Sequence, residues 1–178
     1  MELFIIMFFI GVLTKVVDLI EDDGLKLFRY ANVLFGIIYG LLIGYVVTAY
    51  QNVSPLLLGT VIAMVVYGRI DAKGHYTGIV ALALFLVANW PWKTSVPLLM
   101  IFVIANIFEE LLNDLLDRGY FKKNVIKNIL AVRPVLELTA LVVAIVIKDI
   151  AIFMTILSYD VGYVLTGTYG LRILGKKN

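Results

Sequence analysis

Apolar residues in this chain come in long runs rather than in alternation. Seven runs stand out: about Leu3 to Ile20, Ala31 to Tyr50, Pro55 to Gly68, Thr77 to Asn89, Val96 through Phe108 and beyond, Val125 to Ile147, and Ile150 to Leu171. A nearly uncharged stretch of about 20 residues is what an α-helix needs to cross roughly 30 Å of hydrocarbon. The pattern therefore predicts an all-α, polytopic membrane helix bundle of about seven spans, residues 1–178 forming one integral membrane domain. The third and fourth runs are short and joined by the polar stretch from Arg69 to His75. Two tilted helices or two partly re-entrant elements both fit there. The first run has Glu2 ahead of it, no basic flank and no small-residue cleavage site after it, so it reads as a span rather than a leader.

Composition sharpens this picture. Apolar residues make up 62% of the chain and charged ones 16%, against about half and a quarter in ordinary soluble domains. A soluble enzyme, a disordered tail and a nucleic-acid binder are excluded. There is no cysteine, hence no thiol chemistry, and the single histidine, His75, excludes a His-rich metal site. His75 itself reads as a loop residue, with no carboxylate partner evident beyond Asp71. Lys and Arg set the direction. With the N-terminus outside and the C-terminus inside, the segments 15–29, 69–75 and 117–133 and the tail from Arg172 are cytosolic. They hold 13 of the 15 basic residues, leaving Lys93 and Lys148 outside. Trp90 and Trp92 then mark the outer interface. A multi-pass protein of the cell membrane, in contact with the lipid bilayer, is the expected localisation.

Gly36, Gly40 and Gly44 form a stripe on one side of the second span, expected to pack against a neighbouring helix of the same chain. Pro134 is expected to kink the sixth span, with Arg133 and Glu137 paired around it. The acids are more informative, since ten of the 13 fall at cytosolic helix ends. Asp18, Glu21, Asp22 and Asp23 close the first span; Glu109, Glu110, Asp114 and Asp117 close the fifth. Glu109 and Glu110 stand about 20 Å from the outer interface, where a carboxylate needs a cation, a proton or water. A divalent cation, a lysine such as Lys15 or an aqueous cavity would serve. The segments beginning at Asp18 and Asp114 are also similar, which suggests a three-one-three arrangement of parallel repeats, 1–70 and 96–171, with 77–89 as a linker helix.

Asn113-Asp114-Leu115-Leu116-Asp117-Arg118, followed by Arg133-Pro134, resembles the first aspartate-rich motif of the intramembrane (UbiA-type) prenyltransferases. Asp18-Leu19-Ile20-Glu21-Asp22 is loosely similar to the second. The resemblance implies two facing motifs that hold Mg²⁺ against a prenyl diphosphate. The metal ligands would come from Asp18, Asp22, Glu110, Asp114 and Asp117, with Lys122, Lys123 and Arg133 on the phosphate. Paired carboxylates suit Mg²⁺, which neutralises a diphosphate leaving group. Three functions stay open: such an enzyme acting on a lipid phosphate or diphosphate, a small proton- or cation-coupled transporter or channel, and a non-catalytic membrane scaffold. For the transporter, Asp160 is the candidate, an acid near the middle of the seventh span. Oligomeric state and substrate are not legible.

Overall fold

A computed structural model describes residues 1–118 and 134–175. Seven helices are present among them: α1 (Glu2–Glu21), α2 (Ala31–Ala49), α3 (Ser54–Tyr67), α4 (Lys73–Ala88), α5 (Val96–Asp117), α6 (Pro134–Ile147) and α7 (Ala151–Ile173). No strand occurs among the described residues. α3 and α5 open with proline in the first turn, where its missing N–H is not needed. α3 stops at Gly68, whose φ of 75° is the left-handed cap that a residue without Cβ adopts freely. α6 is described from Pro134 onward, so the stretch from Val125 and the kink expected there lie outside the described residues.

One boundary differs from the sequence expectation, and it matters. α4 begins at Lys73 rather than near Thr77, which puts His75 inside its first turn instead of in a loop. α5 runs without a break through Glu109 and Glu110 to Asp117.

Four helices, α1, α2, α5 and α7, are long and apolar enough to cross a membrane; α3, α4 and α6 are shorter. Their outer faces carry large exposed apolar side chains, among them Leu34 and Leu41 on α2, Ile104 and Phe108 on α5, and Val142 and Val146 on α6. Such a surface is costly in water and free of penalty in lipid.

α1, α2, α3, α5, α6 and α7 each touch the next, and α7 returns to α1, closing a ring; α4 lies against α2 with a lighter contact to α1. Glycine sets the closest approaches. A Cβ on Gly11 would collide with the Tyr159 carbonyl, and one on Gly162 with the Phe8 carbonyl, so α1 and α7 sit backbone on backbone. Gly36 and Gly40 meet the carbonyls of Gly74 and Gly78, and Gly44 meets the Phe85 ring. The stripe on α2 is thus used within the chain, against a matching pair of glycines on α4. The contacts of α2 with α4 advance together along both helices, as do those of Lys15 with Gly167 and Leu19 with Gly170, so α2 runs parallel to α4 and α1 to α7. Thr60 with Asn106, and Tyr67 with Asp114, give the same sense for α3 and α5. Successive helices therefore alternate in direction. Tyr45 bonded to Glu2 and Asn52 bonded to Asp149 belong to one end of the bundle. Asn32 bonded to Glu21 and His75 bonded to Asp18 belong to the other.

Candidate functional site

The second end holds the acids, and a cavity opens among them. Its volume is about 340 Å³, within the range of small-ligand sites. The walls come from α1, α2, α3, α4, α5 and α7. Deep positions are apolar: Met7, Ile10, Ile43, Leu56, Leu57 and Ile156. Near the end of the bundle the lining turns polar, with Asp18, Asp22, Arg69, Asp71, His75 and Glu110. Asp22 and Asp71 are solvent-exposed, so the polar part is the mouth. From Asp18 to Met7 along α1 the cavity reaches about 16 Å inward. An apolar shaft beneath a polar mouth is the shape of a site for an amphiphile.

One wall of the mouth is a hydrogen-bonded chain across four helices. Asp18 lies on the α1 face turned toward α4 and α7. One of its oxygens meets His75 Nε2 at 2.9 Å and the other accepts from the Tyr163 hydroxyl. His75 Nδ1 lies 2.8 Å from the Tyr39 hydroxyl. Lys15 stands behind, its Nζ 3.7 Å from Asp18 and 4.9 Å from the centre of the Tyr163 ring. Gly74 and Gly78 make the chain geometrically possible. They let α4 close onto α2 and α1, and a Cβ on Gly78 would strike the Tyr39 ring.

The opposite wall is an ion cluster between α3 and α5. Arg69, just past the Gly68 cap, places Nε 2.7 Å from Glu110, and its terminal nitrogen donates to Asp114. Tyr67 donates to the other Asp114 oxygen at 2.6 Å. Partial burial works against the guanidinium's charge, but Glu110 and Asp114 more than offset it and hold its pKa above the ordinary value. Glu109, 3% exposed, accepts the backbone N–H of Leu136 at 3.2 Å, a carboxylate set at the start of described α6 where helix N–H groups favour negative charge. Asp22, which caps α1, has its pKa pushed up by burial and by the carboxylates of Asp18, Asp71 and Asp23.

The acids singled out from sequence therefore sit in surroundings of different kinds. Asp18, Asp22 and Glu110 line one cavity, while Asp114 lies behind Arg69. Among the described residues no three acids or histidines converge as a metal site; Asp18 meets His75 and Tyr163, and Glu110 and Asp114 meet Arg69. Asp117 closes α5, but its side chain, like Lys122, Lys123 and Arg133, lies outside the described residues. Asp160 is half-buried on α7, which gives the cavity Ile156, Tyr159 and Tyr163 instead. Sequence reasoning missed His75, Tyr39 and Arg69 as site residues. The available signal was Gly74-x-x-x-Gly78, a copy of the α2 spacing that moves the start of α4 back across His75.

These features define a helical bundle with apolar outer faces and a polar-mouthed cavity. Comparison with family models, curated proteins and solved structures finds no match to this chain.

Proposed function

We propose that this is a multi-pass membrane protein, N-terminus outside, that holds an amphipathic molecule with its head at the cytosolic mouth of the cavity. The cavity carries the reading: an apolar shaft is worth keeping open only for an apolar tail, and the charged groups at its rim suit a polar head. The distribution of lysine and arginine supports the direction, since the loops at the mouth are the basic ones. Catalysis on the bound head is a narrower form of the same reading. A prenyl or other lipid (di)phosphate would bring Mg²⁺, with Glu110 and Asp114 as the carboxylates on offer, and the cation would have to displace Arg69.

Native mass spectrometry of the protein in lipid nanodiscs tests the cavity. Decyl amphiphiles should bind the wild type and fail to bind Leu57→Trp, whose indole fills the shaft; equal binding to a folded Leu57→Trp protein would remove the reading. For direction, cysteine at Asn52 or Thr94 should react with an impermeant reagent from outside, and cysteine at Lys73 or Lys123 should not. The reverse pattern would overturn the orientation.

A further inference from the structure

The cavity is a blind shaft, and its lining marks where it stops. Met7 lies 11 residues before Asp18 on α1, and Ile156 lies seven before Tyr163 on α7. Both helices run inward from the outer end, as α3 does, so Leu56 and Leu57 near the start of α3 stand at a similar depth. Ile43 comes two residues before Tyr45, which bonds Glu2 at that same end. These five side chains make the floor. Past it the bundle is packed: Leu3, Val46, Val47, Val53 and Ile152 are all buried, and none of them lines the cavity. Partway down, Thr14 and Thr60 give their hydroxyl hydrogens to the carbonyls of Ile10 and Leu56. Neither therefore offers a donor to a ligand in the shaft.

A floor at fixed depth sets a length. From Asp18 to Met7 is about 16 Å along α1, and an extended alkyl chain advances about 1.25 Å per carbon, the projection of a bond of about 1.5 Å. That admits about 12 or 13 groups in line, of which the first one or two belong to the head. The volume leads independently to the same length. A space of 340 Å³ holds about 11 methylene-sized groups, each close to the roughly 30 Å³ that a water takes up in the liquid. Two chains of that length would need twice the space. We propose that the cavity gauges its ligand: it takes one alkyl chain of about 10 to 12 carbons, and Met7, Ile43, Leu57 and Ile156 set the limit. This rests on the amphiphile reading above and names the class within it, a single-chain amphiphile. A two-chain bilayer lipid is shut out, because its second chain has no place. Selection is by fit rather than by transfer from water, since the chain arrives from hydrocarbon. A shorter chain leaves a void whose walls lose contacts. A longer one pushes its head out of the mouth and leaves methylenes in water.

Alkylamines, alkanoates and alkyl phosphates put three different heads on the same series of tails, from octyl to hexadecyl. Each series is mixed at equal bilayer mole fraction in nanodiscs holding the protein, and native mass spectrometry separates the bound species by mass. Binding that Leu57→Trp removes is scored as cavity binding. For each head that binds, occupancy should peak at decyl or dodecyl. It should fall several-fold at octyl, and about fourfold for each methylene beyond dodecyl, the cost of one CH₂ left in water. A second decyl tail on a head that binds, as in didecyl phosphate or didecylamine, should abolish cavity binding. Met7→Ala lowers the floor and should move the peak up by about two carbons; Ile43→Phe raises it and should move the peak down by as much. The two shifts have opposite signs, and either variant alone is decisive if the other fails to fold. Cavity binding indifferent to chain length, a peak that stays put in a folded floor variant, or a two-chain compound bound as well as its single-chain counterpart would each overturn the gauge and leave the cavity reading intact. Failure of every probe to show binding sensitive to Leu57→Trp would overturn both.

Discussion

Asp18 ends its helix among a histidine, a tyrosine and a lysine. Glu110 and Asp114, at the end of α5, share one guanidinium. In sequence the two ends are alike, acid-rich and followed by basic loops. In the fold they are neutralised by different chemistry. A guanidinium keeps its charge at every accessible pH, so the α5 cluster is a fixed clamp between α3 and α5. Asp18 instead meets an imidazole and a phenol, groups whose hydrogen bonds depend on the tautomer and the hydroxyl rotor. One wall of the mouth is held by ion pairs between two helices, and the other by a hydrogen-bonded chain across four.

The largest effect expected is on the clamp. Glu110 is 5% exposed and Arg69 about 40% on its side chain. Arg69→Leu would strand a buried carboxylate beside a second one, and should cost about 2 kcal/mol, less than the 3–5 kcal/mol typical of fully buried pairs because solvent screens the exposed partner. Adding Glu110→Met should recover most of it, since Asp114 keeps Tyr67. His75→Ala should cost only about 1 kcal/mol, because Asp18 retains Tyr163 and Lys15. Thermal unfolding in detergent ranks these; a larger loss for His75→Ala than for Arg69→Leu would reverse the assignment of the two walls.

Divalent cations probe the same contrast. A Mg²⁺ ion shared by Asp18 and Asp114, the arrangement the sequence suggests, would stabilise the wild type by mass action, and Asp18→Asn or Asp114→Asn would each abolish the gain. With Arg69 on Glu110 and Asp114, we expect millimolar Mg²⁺ or Mn²⁺ to leave wild-type unfolding unchanged. Arg69→Gln should then gain a few degrees from the same addition. Stabilisation of the wild type, lost in Asp18→Asn, would favour the shared ion.

How much of this was legible follows from what each signal measures. Apolar runs mark continuous apolar helices, so the seven helices among the described residues were readable to within a few residues wherever their bounds are described. The glycine stripe at Gly36, Gly40 and Gly44 reported a close packing, though not its partner. The acid clusters marked the right end of the bundle but not their counterions. Arg69 and Tyr67 lie more than 40 positions from Glu110 and Asp114, and His75 lies 57 from Asp18. Only the parallel packing of α3 on α5 and of α4 on α2, with the start of α4 meeting the end of the antiparallel α1, brings them together, and periodicity along one helix carries no information about that register.

The smallest effect separates the two walls by sign. Asp22 caps α1 beside the carboxylates of Asp18, Asp71 and Asp23, and burial with those neighbours raises its pKa. A carboxyl whose folded pKa lies above its unfolded one favours the fold fully below the unfolded value of 3.8, and that contribution is lost as pH rises through the folded value. At neutral pH the ionised Asp22 is therefore a mild liability. Asp22→Asn should stabilise the protein at pH 7 by at most about 0.5 kcal/mol, because the side chain is exposed and solvent screens it. Well below the unfolded value of 3.8, at about pH 2.5, the difference should vanish, since both side chains are then neutral. Glu110→Gln should act in the opposite sense at pH 7, because it takes a charge from beside Arg69. Unfolding curves at the two pH values decide the matter. If both substitutions destabilise at pH 7, Asp22 has a cationic partner, and the α1 end is a clamp of the same kind as the other.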